Sequence, residues 1–418
     1  MTTYTNTLEF AKSLDKKDPL AHFRQRFHFP ILNGKEAIYL TGNSLGLQPK
    51  TARAALEQEM QDWQNMGVEG HFEGKNPWFY YHKFLTEKAA KVVGALPHEV
   101  VVMNNLTVNL HLMMVSFYRP TPTRFKIIME AGAFPSDQYA MESQVRFHGF
   151  NPVDAIIEIS PREGEYHLRT EDIIDTITTN ANETALVMFS GVQYYTGQAF
   201  DMQAITRAGH DKGITVGFDL AHAAGNLHLK LHDWDVDFAV WCGYKYLNSG
   251  PGGVSGIFVN DRFANNPELP RFAGWWGHKE NERFLMKKGY IPEYGAPGWQ
   301  LSNAPVLSMA VHNASLQIFE EAGIENLCNK SKLLTGYLQF VLEQSNKNLK
   351  IITPPDQRGC QLSILTDANG KALFKHLQNQ GIIADWREPN VIRMAPVPLY
   401  NSMEDVWQVG EAVRGFLG

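Results

Sequence analysis

The sequence predicts an α/β protein, with a large domain built on a mostly parallel sheet and a smaller α+β domain. Three observations support this prediction. The chain has 418 residues, of which 44% are hydrophobic and 20% charged, so it can bury a large core. Between about residues 51 and 260, apolar helical segments alternate with short β-rich runs, as in successive βαβ units. After residue 305 this alternation gives way to long helices and short strands.

These changes of pattern divide the chain into three predicted parts. Residues 50–304 are predicted to form the large domain and residues 305–418 the small one. Residues 1–49 form an N-terminal segment that is expected to pack on one of these two domains. Loops rich in Pro, Gly and Trp fill most of residues 264–304, where the large domain ends.

Five strands of the large sheet are predicted from apolar and β-branched runs bounded by turn residues. They are residues 101–105, 124–130, 185–191, 214–222 and 237–243. The run at 185–191 is nearly all apolar, which is typical of a strand buried on both faces.

Polar residues after these strands predict where helices begin. Thr107 is predicted to cap an apolar helix, and Ser136 or Asp137 to begin the next one. Asp201 is predicted to cap a helix whose end is marked by Gly213.

The small domain has its own predicted series of elements. A long helix over residues 305–323 precedes a second helix, and a last helix begins at Glu404. Between them the sequence predicts strands at 349–353 and 360–366, a helix at 370–381 and a strand pair within 382–396.

Composition excludes several classes of protein. The net charge of −6 predicts no broad basic surface for nucleic acid. No apolar run approaches the ~18 residues that cross a bilayer, and the polar N-terminus lacks a signal-peptide core. The cysteines Cys242, Cys328 and Cys360 show no zinc or redox spacing, so no metal is expected. These features favour a reduced, cytoplasmic protein without membrane partners.

The strongest chemical pattern joins Asp219 and Lys245. Asp219 ends a predicted buried strand, and Lys245 follows the next strand 26 residues later, before a Gly-rich loop. Ligands of open α/β sheets bind at the carboxyl ends of strands, so both side chains are candidates to face one crevice. A lysine that forms a Schiff base and a carboxylate that keeps a pyridine nitrogen protonated are what pyridoxal phosphate requires. Taken singly, Asp219 is as readily a turn cap and Lys245 a solvated lysine.

A phosphate site is expected where the strand at 101–105 meets its helix. Free backbone N–H groups and the positive end of the helix dipole favour an anion there, and Thr107 can add its hydroxyl. By itself this pattern predicts only a capped helix.

The sequence also resembles the kynureninase family of fold-type I pyridoxal phosphate enzymes over nearly its whole length. The resemblance is carried by the motifs LTGNSLGLQP, NNLTVNLH, AFPSDQYA, FDLAHAAGN, CGYKYLNSGPGG, GWWGH, GWQLSNAP and IRMAPVPLYN. It implies hydrolysis of L-kynurenine to anthranilate and L-alanine in tryptophan degradation, with 3-hydroxy-L-kynurenine as a related substrate.

The resemblance also assigns roles to individual residues. Lys245 matches the Schiff-base lysine, Asp219 the partner of the ring nitrogen, and Tyr244 a phosphate ligand that also transfers protons. Further expected cofactor contacts are Leu106, Thr107, Phe134, Pro135, Ser136, Asp137, Ser190 and His222, with Phe134 stacked on the ring. Arg393 matches the arginine that grips the substrate carboxylate with two hydrogen bonds.

Some of these roles cross a subunit boundary. Trp275 and Asn303 resemble residues that reach the cofactor from a neighbouring subunit, which implies a homodimer with shared sites. His71 and Asn303 resemble residues near the aromatic ketone of the substrate. His71 in a polar loop is as readily a solvated histidine.

Two alternatives stay open from the residues alone. A cysteine desulfurase would need a nucleophilic cysteine on a mobile loop, whereas Cys242, Cys328 and Cys360 fall in predicted strands or helices. A non-catalytic regulator that binds pyridoxal phosphate would need a DNA-binding module with basic recognition residues, and the sequence shows none.

Overall fold

Helices and strands alternate along most of the chain, in a computed structural model that describes residues 3–345 and 349–417. The helices are α1 (Leu8–Asp15), α2 (Ala52–Met66), α3 (Lys83–Val93), α4 (Leu106–Phe117), α5 (Pro135–Phe147), α6 (Pro152–Ala155), α7 (Thr170–Thr179), α8 (Met202–His210), α9 (Val306–Ala322), α10 (Ile324–Ser345), α11 (Gly370–Asn379) and α12 (Met403–Leu417). The strands are β1 (Phe27–His28), β2 (Ile31–Leu32), β3 (Lys35–Glu36), β4 (Ile38–Tyr39), β5 (Gln48–Pro49), β6 (Val100–Met103), β7 (Lys126–Glu130), β8 (Ile156–Ile159), β9 (Thr184–Ser190), β10 (Thr215–Asp219), β11 (Phe238–Trp241), β12 (Ser255–Val259), β13 (Lys350–Ile351), β14 (Leu362–Leu365), β15 (Ile382–Ile383), β16 (Asp385–Arg387) and β17 (Val391–Met394). Within the described ranges, no helix is both long and apolar enough to span a membrane.

A large sheet lies at the centre of the described residues, with the strand order β6-β12-β11-β10-β9-β7-β8. Its neighbouring strands pair in parallel except where β12 pairs with β6 and β11. Side chains alternate between two buried clusters: Val100 and Val102 pack on one face of β6, and Val101 and Met103 on the other. This architecture confirms the predicted α/β class with a mostly parallel large sheet.

The parallel strands place polar residues at one edge of this sheet. β7 ends at Glu130, β9 at Ser190 and β10 at Asp219. Because parallel strands share one direction, their carboxyl ends form a common edge where ligands bind.

The prediction that Thr107 caps the apolar helix is wrong by two residues. Asn105 has extended backbone angles, with φ −110° and ψ 163°, and occupies the N-cap position. The helix therefore begins at Leu106, and Thr107 is its second residue. The hydroxyl of Thr107 is thus free of the capping role that the sequence suggested.

The starts of two other helices, α5 and α8, also test predictions made from the sequence. Helix α5 begins at Pro135 rather than at Ser136 or Asp137, since the fixed φ of proline suits the first helical position. The cap at Asp201 is confirmed, because its side chain accepts a hydrogen bond of 3.0 Å from the backbone N–H of Ala204.

The strand β12 was not predicted. Its residues follow a Gly-rich loop, and Gly256 within it packs so closely on Trp241 that a Cβ atom would lie 2.4 Å from that ring. Glycine in a strand often marks such a close approach, although a glycine in a sequence favours the prediction of a loop. The strand turns the chain back beside β6 after the loop that carries Lys245.

A smaller antiparallel sheet, in the order β13-β14-β17-β16, packs with helices α10, α11 and α12. The N-terminal segment joins this part of the molecule. Strand β4 pairs in parallel with β15, and the Asp15 carboxylate accepts hydrogen bonds from the backbone N–H groups of Met403 and Glu404, at 2.7 and 3.0 Å.

The same N-terminal segment also packs against the buried cluster that includes residues of the large sheet. Phe23 and Phe27 belong to the cluster that includes the large sheet, whereas Ala11 and Leu40 belong to the cluster around α12. The segment thus bridges the two sheets. The boundaries 1–49, 50–304 and 305–418 stay a prediction.

Candidate active site

Ten of the predicted site residues line one cavity of about 190 Å³ at the carboxyl edge of the large sheet. They are Leu106, Thr107, Phe134, Ser136, Asp137, Ser190, Asp219, His222, Tyr244 and Lys245. Val192, Tyr194, Ala221 and Cys242 complete the lining. The cavity lies where the rule for open α/β sheets predicts a ligand.

Lys245 stands on the loop after β11 with its amine inside this cavity. Its Nζ atom lies 2.9 Å from Nε2 of His222 and 5.6 Å from the centre of the Phe134 ring. Burial, followed by the charge of Lys245, lowers the pKa of His222 well below its ordinary value, so this imidazole is neutral. A neutral imidazole lets the lysine amine donate or accept a proton without a second positive charge beside it.

The N-terminal segment helps to hold the lysine loop. The backbone N–H of Gly46 donates a 2.9 Å hydrogen bond to the carbonyl of Tyr244. A Cβ atom on Gly46 would lie only 2.4 Å from the carbonyl oxygen of Lys245, so this close approach requires glycine. The motif LTGNSLGLQP thereby acquires a structural role that its sequence alone did not reveal.

Asp219 and Asp137 form a buried pair of carboxyl groups below the lysine. Asp219 accepts a 2.7 Å hydrogen bond from the backbone N–H of Ala221, and both carboxyl groups are about 5% exposed. Burial raises the pKa of Asp219, and burial and the neighbouring Asp219 raise the pKa of Asp137 well above its ordinary value. A cationic group bound between Lys245 and these two carboxyl groups would stabilise the ionised form of each carboxyl group.

The start of α4 supplies an anion site at another wall of the cavity. The side chain of Asn105 does not cap the helix but donates a 3.2 Å hydrogen bond to the carbonyl of Gly252. The first N–H groups of the helix therefore lack a side-chain acceptor, and Leu106 and Thr107 line the cavity beside them. Backbone N–H groups at a helix N-terminus are suited to a phosphate group.

Phe134 forms the aromatic wall. It precedes the first residue of α5, is 43% exposed, and meets the Tyr194 ring edge-on at 5.1 Å between ring centres. Pro135, predicted as part of this wall, begins α5 but does not line the cavity. An accessible ring face beside Lys245 suits stacking on a planar heterocycle.

Ser190 shows a contact that the sequence did not suggest. Its Oγ donates a 2.5 Å hydrogen bond to Glu130, whose side chain is only 2% exposed. Glu130 ends the strand predicted at 124–130, and a charged residue at the end of an apolar run is the signal that could have identified it.

Arg393 lies behind the cavity rather than in its lining. It is fully buried on β17, donates 2.7 Å from Nη1 to the carbonyl of Tyr194, and forms an ion pair with Asp385 on the neighbouring strand. Ser44 accepts a further hydrogen bond from Nη2 at 3.1 Å, whereas Nε has no partner among the described residues. Arg393 is connected to the cavity through Tyr194, which lines it.

Besides Pro135 and Arg393, three further predicted residues lie outside the lysine cavity of their own chain. His71 and Asn303 line a second cavity of about 220 Å³ together with the aromatic residues Trp63 and Trp78. Trp275 is 43% exposed on a short 3₁₀ turn. The structure of one chain therefore brings His71 together with Asn303 but not with Lys245.

The lysine cavity fits pyridoxal phosphate by its donor set. It combines an amine for the Schiff base, buried carboxyl groups that favour a cationic ring nitrogen, an aromatic face and an uncapped helix start for a phosphate. Nδ1 of His222 is also buried without a partner among the described residues. Buried polar atoms without partners point to a bound group that completes them.

Comparison with known proteins gives full-length relatives. A family model described as the kynureninase C-terminal domain matches residues 327–413. The chain is 55% identical over 417 residues to the kynureninase of Flavobacterium psychrophilum, which covers 98% of each chain. It is 50% identical over 424 residues to the kynureninase of Nematostella vectensis, which covers 95% of this chain and 91% of that protein.

Solved structures of related fold are more distant in sequence. The apo cysteine desulfurase of Thermococcus onnurineus matches with a TM-score of 0.76 at 16% identity, covering 100% of this chain and 99% of that one. A mutant of C-DES with glycine covalently linked to its PLP cofactor matches with a TM-score of 0.76 at 16% identity, covering 90% and 96%. These similarities show the fold, which is that of fold-type I pyridoxal phosphate enzymes.

Proposed function

The chain belongs to the kynureninase family, and from this we infer that it hydrolyses L-kynurenine to anthranilate and L-alanine with pyridoxal phosphate as cofactor. The structural observation that carries the proposal is the meeting of Lys245, Asp219, Phe134 and the start of α4 in one cavity. The reaction is a step of tryptophan degradation. A cytoplasmic location, favoured by the three unpaired cysteines, belongs to the same proposal.

Pyridoxal phosphate, when bound, supplies a sink for the electron pair left at the substrate α-carbon. Lys245 would hold the cofactor through its amine, and that amine, once free, would accept the α-proton. Asp219 would keep the ring nitrogen protonated, and the neutral His222 beside Nζ adds no competing charge. These residues thus prepare the substrate for cleavage between its β- and γ-carbons.

The cleavage itself consumes one water molecule. Water adds to the γ-carbonyl carbon, and the Cβ–Cγ bond breaks to release anthranilate. The β-carbon takes up a proton, the α-carbon regains the proton that Lys245 accepted, and the fragment leaves as alanine. Burial raises the pKa of Tyr244 to about 12, so its phenol is protonated at neutral pH and can donate a proton in these later steps.

The substrate is expected to bind with its carboxylate towards Arg393. The unpartnered Nε of this buried guanidinium supports the assignment. Asp385 and the Tyr194 carbonyl hold the guanidinium in place. The same pocket is proposed to accept 3-hydroxy-L-kynurenine.

The functional unit is proposed to be a homodimer with shared sites. His71, Asn303 and Trp275 lie outside the lysine cavity of their own chain, and the exposed Trp63 lines the cavity that contains His71 and Asn303. Exposed aromatic residues such as Trp63 and Trp275 are typical of protein interfaces. The second subunit would bring these residues to the neighbouring lysine cavity.

The thiols argue against the cysteine desulfurase alternative. Such an enzyme requires a nucleophilic thiolate, yet burial raises the pKa of Cys242 and of Cys328 to about 11 and that of Cys360 to about 12. The similarity to desulfurases at 16% identity shows the fold alone.

Product analysis tests the proposed function directly. Holoenzyme incubated with L-kynurenine should yield anthranilate and L-alanine in equal amounts. Release of sulfide from cysteine at a comparable rate would instead favour the desulfurase. Normal cofactor binding without turnover of any amino acid would favour a regulator.

Replacing Asp219 with alanine is expected to lower kcat by about 100-fold or more. Removing one partner of a buried charge pair costs about 3–5 kcal/mol, and the ring nitrogen would lose its counter-charge. The loss should appear in the rate of α-proton exchange rather than in substrate binding. Asp211→Ala, at an exposed position, serves as the control. Near-normal exchange in Asp219→Ala would assign the ring nitrogen to another residue.

Replacing Arg393 with lysine is expected to weaken substrate binding by about 1.5–3 kcal/mol, because lysine keeps the charge but lacks the planar fork. The change should raise KM more than it lowers kcat. The exposed Arg146→Lys provides a matched control. Unchanged affinity for kynurenine would place the carboxylate elsewhere.

A further inference from the structure

Glu130 is a buried carboxyl group for which the mechanism above has no use. It ends β7, next to β9 and close to β10, so the last residues of these strands, Glu130, Ser190 and Asp219, lie along one edge of the sheet. Ser190 and Asp219 are direct partners in the strand register.

Ser190 supplies the hydrogen bonds that Glu130 receives. Its Oγ donates at 2.5 Å, and its backbone N–H lies 3.2 and 3.3 Å from the two carboxylate oxygens. The side chain is 2% exposed and forms no ion pair within the part of the chain that is described. A buried carboxylate without a cation is unusual, because burial disfavours its charge.

The groups around Glu130 are mostly acidic. Asp219 on β10 and Asp137 on α5 are also buried, and the charge of Lys245 lowers the pKa of these two carboxyl groups. Burial raises the pKa of Glu130 to about 7, the hydrogen bonds from Ser190 lower it, and Asp219 raises it further. Asp137 and Asp219 therefore share the charge of Lys245, whereas Glu130 has the hydrogen bonds from Ser190 instead.

We propose that Glu130 is a positioning residue for the cofactor ring. Glu130 accepts the hydrogen bond of the Ser190 hydroxyl, and it releases its own carboxyl proton when a cationic ring nitrogen binds beside Asp219. This inference rests on the proposed function. The physical reason for the proton release is charge balance. One added positive charge allows a further carboxyl group among Glu130, Asp137 and Asp219 to ionise. Glu130 then adds negative charge that favours the protonated ring, without contacting the ring.

The proposal predicts a proton count for cofactor binding. Pyridoxal phosphate is titrated into the full-length apoenzyme at pH 7 in two buffers with different heats of ionisation, and calorimetry gives the protons released. A group with a pKa of about 7 is about half protonated at pH 7. Wild type should therefore release about half a proton more than Glu130→Gln.

Two further variants separate this role from a merely structural one. Ser190→Ala keeps the carboxyl group but removes a hydrogen bond that lowers its pKa, so proton release at pH 7 should rise above that of wild type. Glu158→Gln, on the exposed side of β8, should match wild type. Should Glu130→Gln fail to fold, Ser190→Ala against wild type still tests the proposal.

The outcomes are distinct. Equal proton release by wild type and Glu130→Gln, or a decrease in Ser190→Ala, overturns the role of Glu130 while leaving the proposed function intact. A chain that binds no pyridoxal phosphate, seen as no absorbance change during the same titration, overturns the proposed function and this inference together.

Discussion

Lys245→Ala is expected to abolish the hydrolysis of kynurenine. The variant would lose both the amine proposed to hold the cofactor and the base proposed to accept the α-proton. General base catalysis alone contributes about 10²–10⁴-fold, so we expect kcat to fall by more than about 1000-fold. No other amine stands in for it among the residues that line the cavity.

A chemical measurement checks the same assignment. Borohydride reduction of the wild-type holoenzyme should fix the cofactor to a single peptide that contains Lys245, and the variant should give no labelled peptide. Lys212→Ala, at an exposed position, controls for the loss of a lysine and should keep full activity. A labelled peptide with another lysine would contradict the assignment.

Mixing two inactive variants is expected to restore about a quarter of wild-type activity. Lys245→Ala and Asn303→Ala each damage one component of the site, and the two residues line different cavities of the chain. If Asn303 serves the neighbouring subunit, a heterodimer has one intact site and one with both defects. Equal mixing by unfolding and refolding gives about half heterodimers, each with one of its two sites working.

The matched control uses two residues of the same cavity. Lys245→Ala mixed with Asp219→Ala should show no recovery, because both side chains line one cavity and every heterodimer site then carries one defect. Heterodimers of Lys245→Ala and Asn303→Ala that form without recovered activity would place both residues in one chain's site. Sedimentation or light scattering confirms that the mixed chains assemble.

The sequence predicted the parts of the site that depend on strand ends. Asp219 follows an apolar run and lies at the carboxyl edge of the sheet, as the alternation of strands and helices indicates. The resemblance to a family supplied residues such as Phe134 and Ser136, whose positions in the cavity no periodicity reveals.

Contacts between neighbouring strands could not be predicted, since they depend on register. Asp385 lies directly opposite Arg393 on the adjacent strand, and its ion pair follows from that pairing. Glu130 meets Ser190 for a similar reason, across two strands that are far apart in the sequence. A sequence shows which residues are present, but it does not show which residues of neighbouring strands lie opposite each other.

The attachment of the N-terminal segment to residues 382–404 has a consequence for folding. Strand β4 finds its partner at Ile382–Ile383, and Asp15 caps a helix that starts at Met403, so these contacts close loops of more than 300 residues. Contacts of such long range slow folding, and on the ribosome they form only after the residues around Met403 have been synthesised. Because Gly46 in the same segment also holds the lysine loop, catalytic competence should emerge as a late event in refolding, after most helix content has returned.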